Sequence, residues 1–177
     1  MATGWFKTTS AATPEGLKQF QTLCTQSDLG ELSKAEFNIK ASKLAGVPIE
    51  RVEAGIEAQL QVNESLVKYA RNLINRGFTL ACLSNGSHEW TTYAIEKYNL
   101  QPLFKEIVIS SDLGIVKPDP RIYLHTLEVL KAEPSKCIFV DDRKDNTDAA
   151  EDLGIKSLIF TDTVSFKADL EKILSIS

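Results

Sequence analysis

The sequence predicts an α/β protein, a doubly wound parallel sheet preceded by an all-helical piece. Three observations carry that prediction. Four short apolar runs, at residues 78–83, 107–109, 137–140 and 157–160, fall after residue 77. Segments with helical periodicity separate them, which is the rhythm of βαβ units around a buried parallel sheet. The first half holds helix starts and stops instead.

The elements follow in order. Residues 1–12 read as a tail: Trp5-Phe6-Lys7-Thr8-Thr9 is β-prone but short and mixed in polarity, so a surface-exposed tail is expected. Thr13-Pro14-Glu15 opens a helix with a cap residue, a proline at the first helical position and an acid at the positive end. A polar break spans residues 26–30. Ser33-Lys34-Ala35-Glu36 fits a capping box and opens a second helix, which Gly46-Val47-Pro48 ends. Helical patterns continue over 49–60 and 64–76, and Gly77 suits the left-handed position after a helix. Among the apolar runs, helices are expected over about 88–98, 120–131 and 147–153, with a last one over 165–174. This gives a tail at 1–12, a helical piece at 13–65 and an α/β core at 66–177.

Composition narrows the function classes. At 177 residues the chain suits one domain with a small subdomain. The formal net charge is −4 with both signs interspersed, which argues against a nucleic-acid or membrane-surface partner. Cys24, Cys82 and Cys137 form no CxxC pair, so reduced buried thiols are expected rather than a zinc site. No apolar stretch reaches membrane-spanning length and the N-terminus shows no signal pattern, so the expected location is cytoplasmic.

Ligands of open parallel sheets bind beyond the C-terminal strand ends. Ser84-Asn85-Gly86-Ser87 follows the first run, and Ser110-Ser111-Asp112 with Lys117-Pro118-Asp119-Pro120 follows the second. Asp141-Asp142-Arg143-Lys144-Asp145-Asn146 follows the third and Thr161-Asp162 the fourth. This is an inventory for phosphate and magnesium. Ser84 offers a hydroxyl donor, and the backbone N–H groups of the following turn add more. Lys117 supplies a point charge worth about 4 kcal/mol against a phosphoryl oxygen near 4 Å at an effective dielectric near 20, before desolvation. Asp141 and Asp142 repel each other at a buried strand end unless a hard divalent cation joins them. Asn146 follows at the start of a helix, within reach of the same ion. His88 and His125 have no metal-ligand spacing and read as surface or helix-cap residues. Trp90, Tyr93 and Tyr98 read as packing.

Leu83-Ser84-Asn85-Gly86, Lys117-Pro118-Asp119-Pro120 with Ile122-Tyr123, and Phe139-Val140-Asp141-Asp142 through Asn146 resemble motifs II, III and IV of the haloacid dehalogenase-like hydrolases. The resemblance covers roughly residues 28 to 162 and is nearest to the subfamily with a helical cap. Gly30-Glu31-Leu32-Ser33 with Glu36-Phe37 is similar to the segment leading into that cap in small phosphatases. The resemblance implies a Rossmann-like core with an N-terminal helical cap subdomain. It implies that Ser84, Asn85 and Gly86 bind phosphate and that Lys117 bridges phosphate and nucleophile. Asp142 would ligate Mg2+ directly, with Asp141 and Asn146 in support. The implied activity is a magnesium-dependent phosphatase acting on a small phosphorylated metabolite through an aspartyl-phosphate. True 2-haloacid dehalogenases share the Ser-Asn-Gly, but they need no metal and replace the acid pair, which this chain keeps.

One part of the pattern is missing. Family members begin with a strand ending in Asp-x-Asp, whose first Asp is the nucleophile, and residues 1–27 contain no Asp at all. Asp28-Leu29-Gly30 follows a polar segment rather than an apolar strand, and Asp162 is followed at position 164 by Val. The first, central strand therefore looks absent, between the strands ending at Leu83 and Val140. Three arrangements are open: those strands pair directly, Trp5 to Thr9 fills the place, or the chain is a fragment with a truncated or diverged start. In each case the chain alone is expected to be inactive, or to persist as a pseudo-enzyme that binds phosphate or a protein partner.

Overall fold

The structure, a computed structural model, describes residues 4–176. A 3-10 turn at Phe6–Thr8 precedes three helices, α1 (Pro14–Asp28), α2 (Lys34–Ala45) and α3 (Ile49–Glu57). The helix signals act as their chemistry requires. Thr13 Oγ1 accepts from the Gly16 N–H at 3.1 Å and caps α1. Ser33 and Glu36 form the reciprocal box at the start of α2, the Glu36 N–H donating to Ser33 Oγ at 3.3 Å and the Ser33 N–H to Glu36 Oε2 at 2.9 Å. Gly46 ends α2 in the left-handed region at φ 65°.

The expected surface tail is a correction. Trp5 is 9% exposed and Phe6 fully buried. Phe6 stacks on Phe20 with ring centroids 4.4 Å apart, and Trp5 meets Phe20 edge-on at 5.4 Å. The cause is tertiary: α1 and α2 present Phe20 and Phe37, and the two aromatics complete that core with Cys24, Leu32, Val52 and Ile56. Gly55 makes room, since a Cβ there would lie 2.5 Å from Trp5 Cγ. The segment forms a turn rather than the strand that its β-prone residues allow.

The second half continues with α4 (Glu64–Asn75), β1 (Ala81–Ser84), α5 (His88–Lys97), β2 (Glu106–Ile109), α6 (Ser110–Leu113) and α7 (Pro120–Leu130). Then come β3 (Ile138–Asp141), α8 (Lys144–Glu151), β4 (Lys156–Ile159) and α9 (Thr163–Ile176). All four strands are parallel to their partners, as continuous apolar runs require. β1 pairs with β2, from Ala81 opposite Glu106 to Ser84 opposite Ile109. β3 pairs with β4, from Ile138 opposite Lys156 to Asp141 opposite Ile159. These are two separate pairs, and among the described residues no strand joins them. So β1 and β3 do not pair directly, and Trp5 to Thr9 does not stand between them.

A second core packs α7 and α8 onto the strands through Val108, Ile122, Tyr123, Leu127, Ala150 and Ile155. On another side α4 is tied to α9: Asn63 Nδ2 donates to Thr163 Oγ1 at 2.9 Å, Tyr69 OH to Glu171 Oε1 at 2.7 Å, and Arg76 pairs with Glu171. All three cysteines are free thiols, Cys24 buried and the others half-buried. Burial, with the nearby Asp28 charge, pushes the Cys24 thiol up to about 12. Among the described residues no helix is long and apolar enough to cross a membrane.

Candidate active site

The C-terminal ends of β1 and β3 carry the site. Ser84 closes β1, and its hydroxyl makes no hydrogen bond among the described residues, so its donor is free. Asn85 Nδ2 donates to the Lys117 carbonyl at 3.0 Å, and the Lys117 N–H returns to Asn85 Oδ1 at 2.8 Å. This amide pincer holds the 117 loop over the end of β1. The Gly86 N–H is committed to Ser110 Oγ at 3.1 Å. The turn after β1 thus offers fewer free donors than its sequence suggests: Asn85 positions Lys117 with its side chain, and Gly86 anchors the loop.

Lys117 Nζ reaches across both pairs of strands. It donates to the Leu83 carbonyl at 2.9 Å and to Asp141 Oδ2 at 2.6 Å. The pair is enclosed, the Lys117 and Asp141 side chains being 9% and 7% exposed. Burial pushes the Asp141 carboxyl up, but the Lys117 ammonium, the Asn146 amide and the Arg143 N–H outweigh it and hold it below the usual carboxylate range.

Asp142 is exposed and accepts no hydrogen bond among the described residues. Asn146, in α8, is 3% exposed and donates from Nδ2 to Asp141 Oδ1 at 2.9 Å. Its own Oδ1 is a buried acceptor without a partner. An orphaned amide oxygen on a side chain bonded to the Asp141 carboxylate is the donor chemistry of a hard cation. Among the described residues no group of three or more His, Cys, Asp and Glu gathers for a metal, so a closed protein cage is absent. Magnesium is ordinarily held by one or two carboxylates together with phosphate oxygens and water, and Asp141, Asp142 and Asn146 Oδ1 fit that smaller set.

Several residues near the site gain roles that sequence reasoning missed. Tyr123, 1% exposed, donates its hydroxyl to the Asn146 carbonyl at 2.9 Å and so fixes the start of α8. Ser110, fully buried, donates to the Asp28 carbonyl at 2.6 Å while accepting from Gly86, which ties α1 to the loop after β1. Nothing in the local sequence Ser110-Ser111-Asp112 marks this; it begins the single turn of α6, where a loop was expected. Arg143 pairs with Asp145 and Lys144 with Asp148, so neither neutralises Asp142 directly. His88 Nδ1 lies 2.9 Å from Asp112 Oδ1 at the surface.

The two remaining acids do not replace a nucleophile. Asp28 lies in the last turn of α1, half-buried, and burial pushes its carboxyl up to about 6. Asp162 caps α9, accepting from the Val164 and Ser165 N–H groups at 2.9 and 3.0 Å. Beside the acid pair, Leu66, Val140, Phe160 and Phe166 line a cavity of about 410 Å³ with Asp141 and Asp142.

The family profile of the haloacid dehalogenase-like hydrolases matches residues 13–154. The chain belongs to the haloacid dehalogenase-like hydrolases. Bifunctional epoxide hydrolase 2 of Rattus norvegicus is 29% identical over 144 residues, 76% of this chain but 26% of that protein. Phosphoglycolate phosphatase of Aquifex aeolicus is 34% identical over 87 residues, 49% of this chain and 41% of that one. The chain therefore spans well under half the length of these relatives. A haloacid dehalogenase family enzyme of Bacteroides thetaiotaomicron, solved with magnesium and inorganic phosphate, superposes with a TM-score of 0.76 at 20% identity, covering 90% of this chain and 85% of that one. L-2-haloacid dehalogenase of Xanthobacter autotrophicus superposes at 0.62 and 16% identity, covering 96% and 77%. At those identities the superpositions establish the fold.

Proposed function

We propose that this chain is the phosphate- and magnesium-binding body of a phosphohydrolase for small phosphorylated molecules, and that alone it binds without turning over. One observation carries the reading. The free Ser84 hydroxyl, the enclosed Lys117 ammonium and the oxygen set Asp141, Asp142 and Asn146 Oδ1 stand on one rim of the strands. Ser84 donates to a phosphoryl oxygen and Lys117 offsets its charge. Magnesium, when bound, would neutralise further phosphoryl charge beside Asp142. The α1–α3 bundle then serves as the cap, excluding water and selecting the substrate.

The step this chain does not supply is covalent. No Asp-x-Asp occurs anywhere in its 177 residues, and loss of a nucleophile costs a factor of roughly 10^6 in subtilisin. A metal-free dehalogenase is disfavoured by the retained Asp141 and Asp142, which such chemistry leaves idle. The relatives that are phosphatases by name agree with phosphoryl chemistry.

The test combines binding with turnover. Magnesium and inorganic phosphate together, at 100 times their dissociation constants, raise stability by about 2.7 kcal/mol for each site filled. Asp142→Asn abolishes the magnesium part and leaves the fold intact. Phosphate release from p-nitrophenyl phosphate stays at the uncatalysed rate. Brisk release that Asp142→Asn stops would show a nucleophile in this chain and overturn the proposal, as would the absence of any ligand-dependent shift.

A further inference from the structure

The turn at residues 84–87, which carries Ser84, is held from two sides by the helical piece that precedes it. On one side stands α5, which continues from the turn. Its Trp90 packs against the core of α1–α3, and the Lys34 ammonium lies over that ring at 4.1 Å. Glu89 Oε1 accepts from the Lys34 N–H at 3.1 Å, Lys97 Nζ donates to Glu57 Oε1 at 2.7 Å, and Tyr98 OH donates to the Leu60 carbonyl at 2.6 Å. Tyr93 also donates to Glu57.

On the other side a single hydroxyl makes the connection. Ser110 Oγ accepts from the Gly86 N–H at 3.1 Å and donates to the Asp28 carbonyl at 2.6 Å. Its one proton has a second acceptor in reach, the Gly86 carbonyl, but at 3.4 Å that contact is the weaker. Asp28 is the last residue of α1, where carbonyls lack partners within the helix, so the hydroxyl satisfies an acceptor that would otherwise be orphaned. The relay therefore has a fixed direction, from Gly86 through Ser110 to α1. Ser110 is fully buried, so water does not compete for either bond.

Both ends of the relay are tight. A Cβ on Gly86 would lie 3.5 Å from Ser84 Oγ and 2.8 Å from Thr91 Oγ1, so the backbone that Ser110 holds is packed beside the Ser84 hydroxyl. A Cβ on Gly30 would lie 2.4 Å from the Ser111 carbonyl, and Gly30 sits at φ 73°. The end of α1 thus rests on the backbone of α6, an approach that glycine alone permits. A shift of α1 against α6 must move Ser110, and a shift of Ser110 must move the neighbour of Ser84.

We infer that Ser110 is a positioning residue for phosphate: its hydroxyl transmits the seating of the α1 end to the turn that presents Ser84. It touches no ligand and acts through the Gly86 N–H. Seating of the helical piece and binding of phosphate then strengthen each other, because both depend on one arrangement of the same two hydrogen bonds. Magnesium stands outside this link, since Asp141, Asp142 and Asn146 belong to the end of β3 and to α8. This role rests on the proposed reading of Ser84 as the phosphate donor and deepens it.

The test titrates the 177-residue chain calorimetrically with magnesium alone, and with inorganic phosphate at saturating magnesium, while amide hydrogen exchange is read in parallel. Ser110→Ala weakens phosphate by about fivefold or more and leaves magnesium alone unchanged. In the native chain phosphate slows exchange at Leu29, Gly30 and Glu31, whose N–H groups close the end of α1; in Ser110→Ala that response is lost. Gly30→Ala lifts the α1 end without touching the turn, and weakens phosphate in the same way. A hydroxyl that served stability only would lower both affinities together or neither, and Gly30→Ala would spare phosphate. Should either variant misfold, the other and the native chain's exchange response still decide. Equal phosphate affinity in native chain and Ser110→Ala overturns the inference while leaving phosphate binding established, and so does a loss that magnesium shares. A native chain that binds no phosphate overturns the reading of Ser84 and the inference with it.

Discussion

Lys117→Met removes the ammonium at the centre of the site while keeping an unbranched side chain. In the native chain Nζ lies 2.6 Å from Asp141 Oδ2, with the two side chains 9% and 7% exposed. Removing one partner of so enclosed a pair strands the other charge, at a cost of about 3–5 kcal/mol. For a chain of this length that lowers Tm by about 6–20 °C, at roughly 2–4 °C per kcal/mol. The double variant Lys117→Met/Asp141→Asn removes the stranded charge and recovers part of the loss. The effect depends on pH with a definite sign. The native Asp141 carboxyl sits below its usual range, so its contribution is present above about 3.9 and fades as pH falls through the lowered value. Without the ammonium, burial raises that carboxyl, and a raised carboxyl loses stability as pH rises through its new value. The stability difference between native chain and variant therefore widens from pH 4 to pH 7. Urea unfolding followed by far-UV circular dichroism, in EDTA, measures it. A difference that stays flat with pH, or a double variant no more stable than Lys117→Met, refutes the reasoning.

Phe6→Ala should cost about 3–5 kcal/mol in urea unfolding, because Phe6 is fully buried against Phe20; a surface tail would lose almost nothing. Ser33→Ala removes the acceptor of the capping box and should cost about 0.5–2 kcal/mol, with the amides of the first turn of α2 exchanging faster. Tyr123→Phe removes the second hydrogen bond to the Asn146 carbonyl, costing about 0.5–1.5 kcal/mol, and should weaken magnesium binding through a loosened α8 start; calorimetric titration with the metal reads this separately from stability.

What the sequence reveals here divides by range. Thr13 and Ser33 announce their helices because a cap bonds groups within three residues, and no distant partner alters that choice. The rim of Ser84, Lys117 and Asp141 is legible because strand ends of a parallel sheet collect on one edge whatever the loops between them do. Burial of Trp5 and Phe6 is not legible, since it needs Phe20, Phe37 and the absent Cβ of Gly55 to meet them. The same holds for Asn85 and Gly86, whose donors look free in sequence but are consumed by the Lys117 loop and by Ser110.

Strand neighbours are the hardest part, and a partial signal for them exists. An apolar run tells that both faces of a strand are covered, yet says nothing of its edges, whose bonds go to residues far along the chain. Edge charge supplies what periodicity omits. Glu106 and Lys156 mark β2 and β4 as outer strands, and the uncharged openings of β1 and β3 mark them as inner ones. β1 and β3 have separate partners and do not pair with each other, so backbone groups along their inner edges turn to side chains or water. Lys117 satisfies one of these, the Leu83 carbonyl, with the same ammonium that holds Asp141. The side chain that holds the rim together therefore also closes one of the open edge groups beside it.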